Sequence, residues 1–207
     1  MGTRSAYLLL AGLGTDEILA RLGRRLGDDV VEPDTDEPGR TPALGPVVEG
    51  WTLIVDQPMV FLIDESFSLE QLSLGARLLT LGVNETVMYS DAACYVDGER
   101  WWWVASCPDG RDWRQAWPKV VAPWWRRLLG DPPGPSKLMV EGEPPDGLGD
   151  LYTEALGNEA RTNGVDYQFD IPGALVADAS GGAFTGELAE EWVFRALIPA
   201  SGSYTDR

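Results

Sequence analysis

The sequence contains no histidine and only two cysteines, and each scarcity excludes a class of chemistry. Without histidine there is no Ser-His-Asp or Cys-His catalytic group and no histidine-containing zinc or iron site. Cys94 and Cys107 are too few for a four-cysteine zinc site. The sequence therefore favours recognition over catalysis, and it predicts no metal and no cofactor.

Long apolar runs are also missing. Residues 6–14 form an apolar run of nine residues, whereas a membrane-spanning helix needs about 18. Asp16 and Glu17 follow this run immediately, without the small-residue pattern of a signal-peptide cleavage site. We therefore expect a cytoplasmic protein that has reduced thiols and does not bind membranes.

Basic residues are few: 16 stand against 33 acids in 207 residues, which gives a net charge of −17. Such a chain repels phosphates and anionic lipids, so we expect no direct binding of nucleic acid. The charge is unevenly distributed. Residues 100–137 hold seven bases and three acids, so this segment carries about +4 and the remainder about −21.

The same segment holds seven of the nine tryptophans. Tryptophan and arginine are enriched at the energetic centres of protein interfaces. Packing of most of these tryptophans in the core is the alternative interpretation. The candidate partner-binding residues of this basic and aromatic kind are Trp113, Trp117, Trp124, Trp125 and Arg126.

Two stretches, residues 28–37 and 141–170, are rich in carboxylates. An acidic face attracts cationic partners and accelerates their association, although an ordinary solvated surface is the alternative. From these stretches we select as candidate partner-binding acids Asp34, Asp36, Glu37, Glu141, Glu143, Asp146 and Asp150.

Carboxylates with apolar neighbours are candidates for acid–base catalysis or for binding a divalent metal, because such neighbours raise a carboxyl pKa. None of them shows the spacing of an EF-hand, so we predict no catalytic residue. The candidates are Asp56, Asp64, Glu65, Glu85, Asp91, Asp166 and Asp170.

The pattern of elements predicts a single α+β domain of mainly antiparallel sheet, with a central hairpin over residues 85–107 flanked by helices. We expect an exposed, acidic, proline-rich loop at residues 28–46. A helix capped by Thr15 is predicted to include Leu26, and a second helix to cover residues 70–79. Residues 148–160 are predicted as a helix and residues 165–171 as an edge strand.

The dipeptide Asp97-Gly98 is typical of a two-residue type I′ hairpin turn. That turn predicts pairs whose numbers sum to 195, which places Cys94 opposite Trp101. Trp101 and Trp103 would then share a face with Cys94, and Trp102 would lie on the other face. Because Cys107 would lie far along the ladder from Cys94, we expect no disulfide.

Several short phrases together resemble a group of small acidic bacterial proteins, many of them from actinobacteria, of the immunity-protein kind found in toxin systems. The similarity covers roughly residues 47–175 and implies a binding protein rather than an enzyme. The phrases that carry it are GWTL at 50–53, LSLG at 72–75, ETVMYS at 85–90, DGERW at 97–101 and VDYQFDIP at 165–172.

We therefore interpret the chain as a cytoplasmic binding protein that neutralises a cationic protein, such as a toxin nuclease. One alternative is mimicry of DNA, in which spaced carboxylates imitate phosphates and block a DNA-binding protein. The other is a carboxylate-based or metal-dependent enzyme, which requires two or three acids to converge in a pocket.

Overall fold

The fold is an antiparallel sheet with helices on both faces, seen in a computed structural model that describes residues 4–32, 41–56, 68–85, 88–107, 138–143, 145–162 and 166–200. The strands in this part of the chain are β1 (Arg4–Ala11), β2 (Arg24–Val31), β3 (Ala43–Val48), β4 (Trp51–Val55), β5 (Arg77–Asn84), β6 (Tyr89–Val96), β7 (Glu99–Ser106), β8 (Leu138–Gly142) and β9 (Phe194–Pro199). They lie in the order β2-β9-β3-β4-β1-β5-β6-β7-β8.

The helices in the described ranges are α1 (Thr15–Leu22), α2 (Leu69–Leu72), α3 (Leu148–Thr162), a 3₁₀ helix (Tyr167–Asp170) and α4 (Ile171–Ala179). The predicted α+β class is confirmed, with sheet predominating. Among the described residues, no helix has the length and apolar character needed to cross a membrane.

Side chains alternate between two apolar layers, because successive residues of a strand point to opposite faces. Leu9 and Leu79 belong to the layer that α3 and α4 cover, together with Leu175 of α4. Leu8 and Leu78 belong to the opposite layer, which α1 and α2 cover. Both faces of the middle strands are therefore buried, which explains why β4 is buried at every position.

The first helix is shorter than predicted. It ends at Leu22, and Gly23 caps it in the left-handed conformation with φ 60°. Leu26, predicted to continue the helix, lies on β2 and pairs with Leu197 of β9. Glycine is the preferred residue at this cap because its lack of Cβ removes the penalty for positive φ.

The predicted helix over residues 70–79 is largely wrong. Only α2 is helical, with the Ser68 hydroxyl accepting a hydrogen bond from the Gln71 amide at its start. Gly75 then takes φ 65°, and the chain enters β5, where Leu79 pairs with Leu9. Leucine fits either structure, and the long-range pairing with β1 decides between them.

The pairing of β6 with β7 follows the predicted register only beside the turn, where Val96 lies opposite Glu99. A bulge between Cys94 and Tyr95 then shifts every later pair by one, so that Cys94 lies opposite Trp102. A bulge inserts one unpaired residue and reverses which face the following side chains occupy. The prediction that Trp101 and Trp103 share a face with Cys94 is therefore wrong.

Trp102 instead packs in the layer of Cys94, while Trp103 packs against the opposite layer. Trp101 is 52% exposed. Both cysteines are free thiols, as expected.

Residues 165–171 are predicted as an edge strand, but from residue 167 onward the structure is helical. Residues 167–170 form the 3₁₀ helix, and α4 follows directly with Pro172 in its first turn. Proline suits that position because its missing N–H would have no partner there. The buried positions Gln168, Ile171 and Leu175 recur every three to four residues, which is the helical period.

Candidate functional site

A cavity of about 860 Å³ opens between the sheet and the segment that follows α3. Its floor comes from β1, β5 and β6, and its walls come from the 3₁₀ helix, α4 and residues 185–188. This is the size of a typical small-molecule site. The fold therefore offers a concave site on the face that α3 and α4 cover.

Two serines and a valine form one row across the floor. Ser5 of β1 pairs with Val83 of β5, and Val83 pairs with Ser90 of β6. Ser5 is 3% exposed and Ser90 is 1% exposed, and both line the cavity. The floor thus presents two hydroxyl groups that are shielded from bulk water.

Hydrogen bonds fix the wall above this row. The Ser90 hydroxyl donates to the carbonyl oxygen of Phe169 over 2.5 Å. The side-chain amide of Gln168 donates to both carboxylate oxygens of Glu159, each 3.2 Å away. These contacts attach the 3₁₀ helix to β6 and α3, and so they position Phe169 and Asp170 at the cavity.

Three carboxylates line the cavity, those of Glu85, Asp170 and Glu187, and none of its described lining residues is basic. Partial burial, reinforced by the carboxylate of Asp166, raises the pKa of Asp170. The site is therefore a negatively charged concavity with hydroxyl groups in its floor.

The predicted acids Glu141, Glu143, Asp146 and Asp150 lie at the end of β8, in the connection to α3 and in the first turn of α3. Glu143, Asp146 and Asp150 are exposed. Glu141 is partly buried and forms an ion pair with Arg100 of β7. Three of these four acids are thus presented to solvent, and Glu141 already has a basic partner.

The other predicted binding residues lie outside the ranges that the structure describes. They are Asp34, Asp36 and Glu37 of the acidic loop, and Trp113, Trp117, Trp124, Trp125 and Arg126 of the basic segment. Of the predicted loop at residues 28–46, the two ends belong to β2 and β3.

Of the five described carboxylates considered for catalysis, two share one cavity. Glu85 and Asp170 line the same cavity, and Asp166 lies close enough to influence the pKa of Asp170. Asp56 is fully buried after β4. Asp64 and Glu65 lie outside the described residues. Within the described ranges no group of three or more Cys, Asp or Glu side chains could hold a metal ion.

Asp91 lies on β6 next to Ser90 in sequence and therefore points to the opposite face of the sheet. Burial raises the pKa of Asp91 to about 6, although hydrogen bonds from Trp103 and Tyr89 oppose that shift. This carboxyl group is thus separated from the cavity by the sheet itself.

Sequence reasoning missed Ser5, Ser90 and Glu187 as cavity residues. Ser5 and Ser90 are polar residues on the otherwise apolar strand faces that point to the α3–α4 layer, which was the available signal. Only the pairing of β5 with both β1 and β6 brings the two serines into one row. No protein-family model, curated protein sequence or solved structure matches this chain.

Proposed function

We propose that this protein is a cytoplasmic binding module that neutralises a cationic protein partner, in the manner of an immunity protein that blocks a toxin. The partner would dock on the carboxylates of the segment that runs from β8 through β9. We call this segment, residues 138–200, the acidic layer. This segment contains twelve acids and two bases, a net charge of −10.

The observation that carries the proposal is the lack of internal compensation in the acidic layer. Nine of its carboxylates are exposed, and none of these nine forms a salt bridge within the described part of the chain: Glu143, Asp146, Asp150, Glu154, Asp170, Asp178, Glu187, Glu190 and Glu191. Uncompensated like charges repel each other and destabilise the compact state. A cationic partner would relieve that repulsion and gain electrostatic attraction.

The test measures affinity for the proteins encoded beside this gene, by titration calorimetry at several salt concentrations. A triple variant, Glu143→Gln with Asp146→Asn and Asp150→Asn, removes three charges from the acidic layer. A control triple, Asp28→Asn with Asp29→Asn and Glu32→Gln, removes three exposed charges at β2. Both variants change the net charge equally, so only location differs.

We expect the acidic-layer triple to weaken a salt-sensitive complex by about tenfold and the β2 triple by less than about twofold. Equal losses in both triples would contradict docking on the acidic layer. Affinity that does not depend on salt, or no complex with any basic neighbouring product, would contradict the proposed function.

A further inference from the structure

The cavity of about 860 Å³ shares Asp170 and Glu187 with the acidic layer, but it is concave and built partly from buried groups. Sites for small molecules occupy roughly 300–1,000 Å³ and combine apolar walls with a few polar groups. The cavity has this composition: Tyr7, Leu81 and Phe169 contribute apolar surface, and Ser5 and Ser90 contribute hydroxyl groups.

The charges around the cavity select for a cation. Glu85, Asp170 and Glu187 line it, and no basic side chain does so among the described lining residues. A cleft lined by charges of one sign concentrates the opposite charge. The carboxyl group of Asp170 has its pKa raised by burial and by Asp166, so a cation beside it would stabilise the ionised form.

The Ser5 side chain is a second sign of a ligand. Ser5 is 3% exposed and lines the cavity, and its hydroxyl has no hydrogen-bond partner among the described residues. A hydroxyl in such a shielded position gains from a partner that a ligand supplies. The Ser90 hydroxyl uses its proton on the Phe169 carbonyl and keeps its lone pairs as acceptors. Both hydroxyls therefore suit a ligand that donates N–H bonds.

The walls indicate that the cation carries an apolar body. The aromatic residues Tyr7 and Phe169 and the aliphatic residues Leu81, Val83 and Leu188 line the cavity. Aromatic faces attract cations, and the aliphatic groups gain from covering a hydrocarbon portion. A bare metal ion would use none of this surface.

We propose that this cavity binds an organic cation whose ammonium or guanidinium group lies beside the carboxylates of Asp170 and Glu187 and the two serine hydroxyls, and whose apolar body contacts the aromatic and aliphatic lining residues. The site goes beyond the proposed protein interface, because it accepts a guest inside the fold. A free small amine and an arginine or lysine side chain of a protein partner share this chemistry.

The direct test is titration of the full chain with phenethylamine, followed by two-dimensional NMR, with phenethyl alcohol as the uncharged analogue. We expect saturable shifts for the amine with a dissociation constant below about 1 mM, and binding of the alcohol at least about tenfold weaker. Equal binding of the two probes, or no saturable binding of the amine, would overturn the proposal.

The second test fills part of the cavity with a larger side chain. Gly173 of α4 lines the cavity, and a Cβ built on it meets no atom within 4 Å. Gly173→Leu would therefore project into open space, and leucine is a better helix former than glycine. Gly157→Leu on α3 is the matched control, because Gly157 does not line the cavity and its Cβ would meet only the Arg161 guanidinium at 3.6 Å.

We expect Gly173→Leu to weaken phenethylamine binding at least about tenfold and Gly157→Leu to leave it unchanged. Should Gly173→Leu unfold, the double variant Asp170→Asn with Glu187→Gln gives the same test at two exposed positions. Its control is Glu190→Gln with Glu191→Gln, which removes equal charge outside the cavity. Amine binding that survives both cavity variants would overturn the site.

The source of the cation is distinguished by titrating the same variants with the protein partner. If Gly173→Leu weakens amine binding but not the partner, the cavity serves a free amine. If it weakens both, a side chain of the partner enters the cavity. If the partner test fails entirely while the amine binds, the cavity stands and the proposed function falls.

Discussion

The indole nitrogen of Trp103 donates a hydrogen bond to Oδ2 of Asp91 over 3.1 Å, from β7 to β6. The hydroxyl of Tyr89 donates a second hydrogen bond to the same carboxyl group. Burial nevertheless dominates and raises the pKa of Asp91 from 3.8 to about 6. Two donors are therefore not enough to offset the cost of desolvating this carboxylate.

Asp91→Asn tests this balance through the pH dependence of stability. Between about pH 4 and pH 6 the unfolded chain ionises Asp91 while the folded chain keeps its proton, so the folded state binds more protons. This residue's contribution to stability is therefore present below pH 4 and is lost as pH rises toward 6. Asparagine removes that loss and still accepts the Trp103 hydrogen bond.

Relative to wild type, we expect Asp91→Asn to gain up to about 3 kcal/mol in unfolding free energy between pH 3.5 and pH 7. Urea unfolding of both proteins at several pH values measures the difference. If the difference in unfolding free energy between the two proteins stays constant across this pH range, the Asp91 pKa is the same in the folded and unfolded states.

Ser90 and Ser106 form a matched pair, since they lie opposite each other on β6 and β7 and both are buried. The Ser90 hydroxyl bonds the Phe169 carbonyl, whereas the Ser106 hydroxyl has no partner among the described residues. We expect Ser90→Ala to lower the unfolding free energy by about 1–2 kcal/mol. Ser106→Ala should be neutral or raise it by up to about 1 kcal/mol. Equal losses in chemical unfolding would contradict this assignment.

Alanine substitutions at Gly142 and Gly50 distinguish the cost of a steric clash from the cost of backbone strain. Both have nearly the same positive φ, 80° and 83°. A Cβ on Gly142 would lie 2.1 Å from the Trp101 carbonyl oxygen, whereas one on Gly50 meets nothing within 4 Å. We expect Gly50→Ala to cost about 1–2 kcal/mol and Gly142→Ala about 1–3 kcal/mol more. Thermal or urea unfolding of both variants measures the difference, and equal costs would remove the role of the Trp101 contact.

Arg21 fastens α1 to the turn after α2. Its Nη1 donates to the carbonyl oxygens of Leu72 and Leu74, at 2.9 and 2.6 Å, and its Nε bonds Glu17 at the surface. We expect Arg21→Met to cost about 2 kcal/mol, because two carbonyls lose a charged donor. Glu17→Gln should cost less than about 0.5 kcal/mol, since that pair is exposed. Comparable costs in urea unfolding would indicate that the carbonyl contacts contribute little.

Local signals in the sequence were sufficient for some elements and insufficient for others. The helix predicted over residues 148–160 is α3. The helix predicted over residues 70–79 is largely wrong because leucine-rich segments suit both helix and strand. Pairing between β5 and β1 outweighs the local preference.

The register and the cavity depend on contacts that short patterns do not encode. The Asp97-Gly98 turn predicts the first pairs correctly, but it does not predict the bulge between Cys94 and Tyr95, which shifts all later pairs. Glu85 and Asp170 belong to one set of seven candidate carboxylates, and the placement of the 3₁₀ helix against β6 brings these two to one cavity. Ser5 carries no motif and becomes informative only when its burial is known.

The two outermost strands of the described sheet are β2 and β8, and each pairs with a described strand on one side only. Each of these strands has features that oppose pairing with another chain. Asp28 and Asp29 lie where the pairing of β2 with β9 is irregular, and β8 ends at Glu141 and the tightly turned Gly142. Charges and irregularities of this kind block edge-to-edge growth of sheets. Acidic residues at both edges of the described sheet would thus also oppose assembly of the protein into fibrils at high concentration.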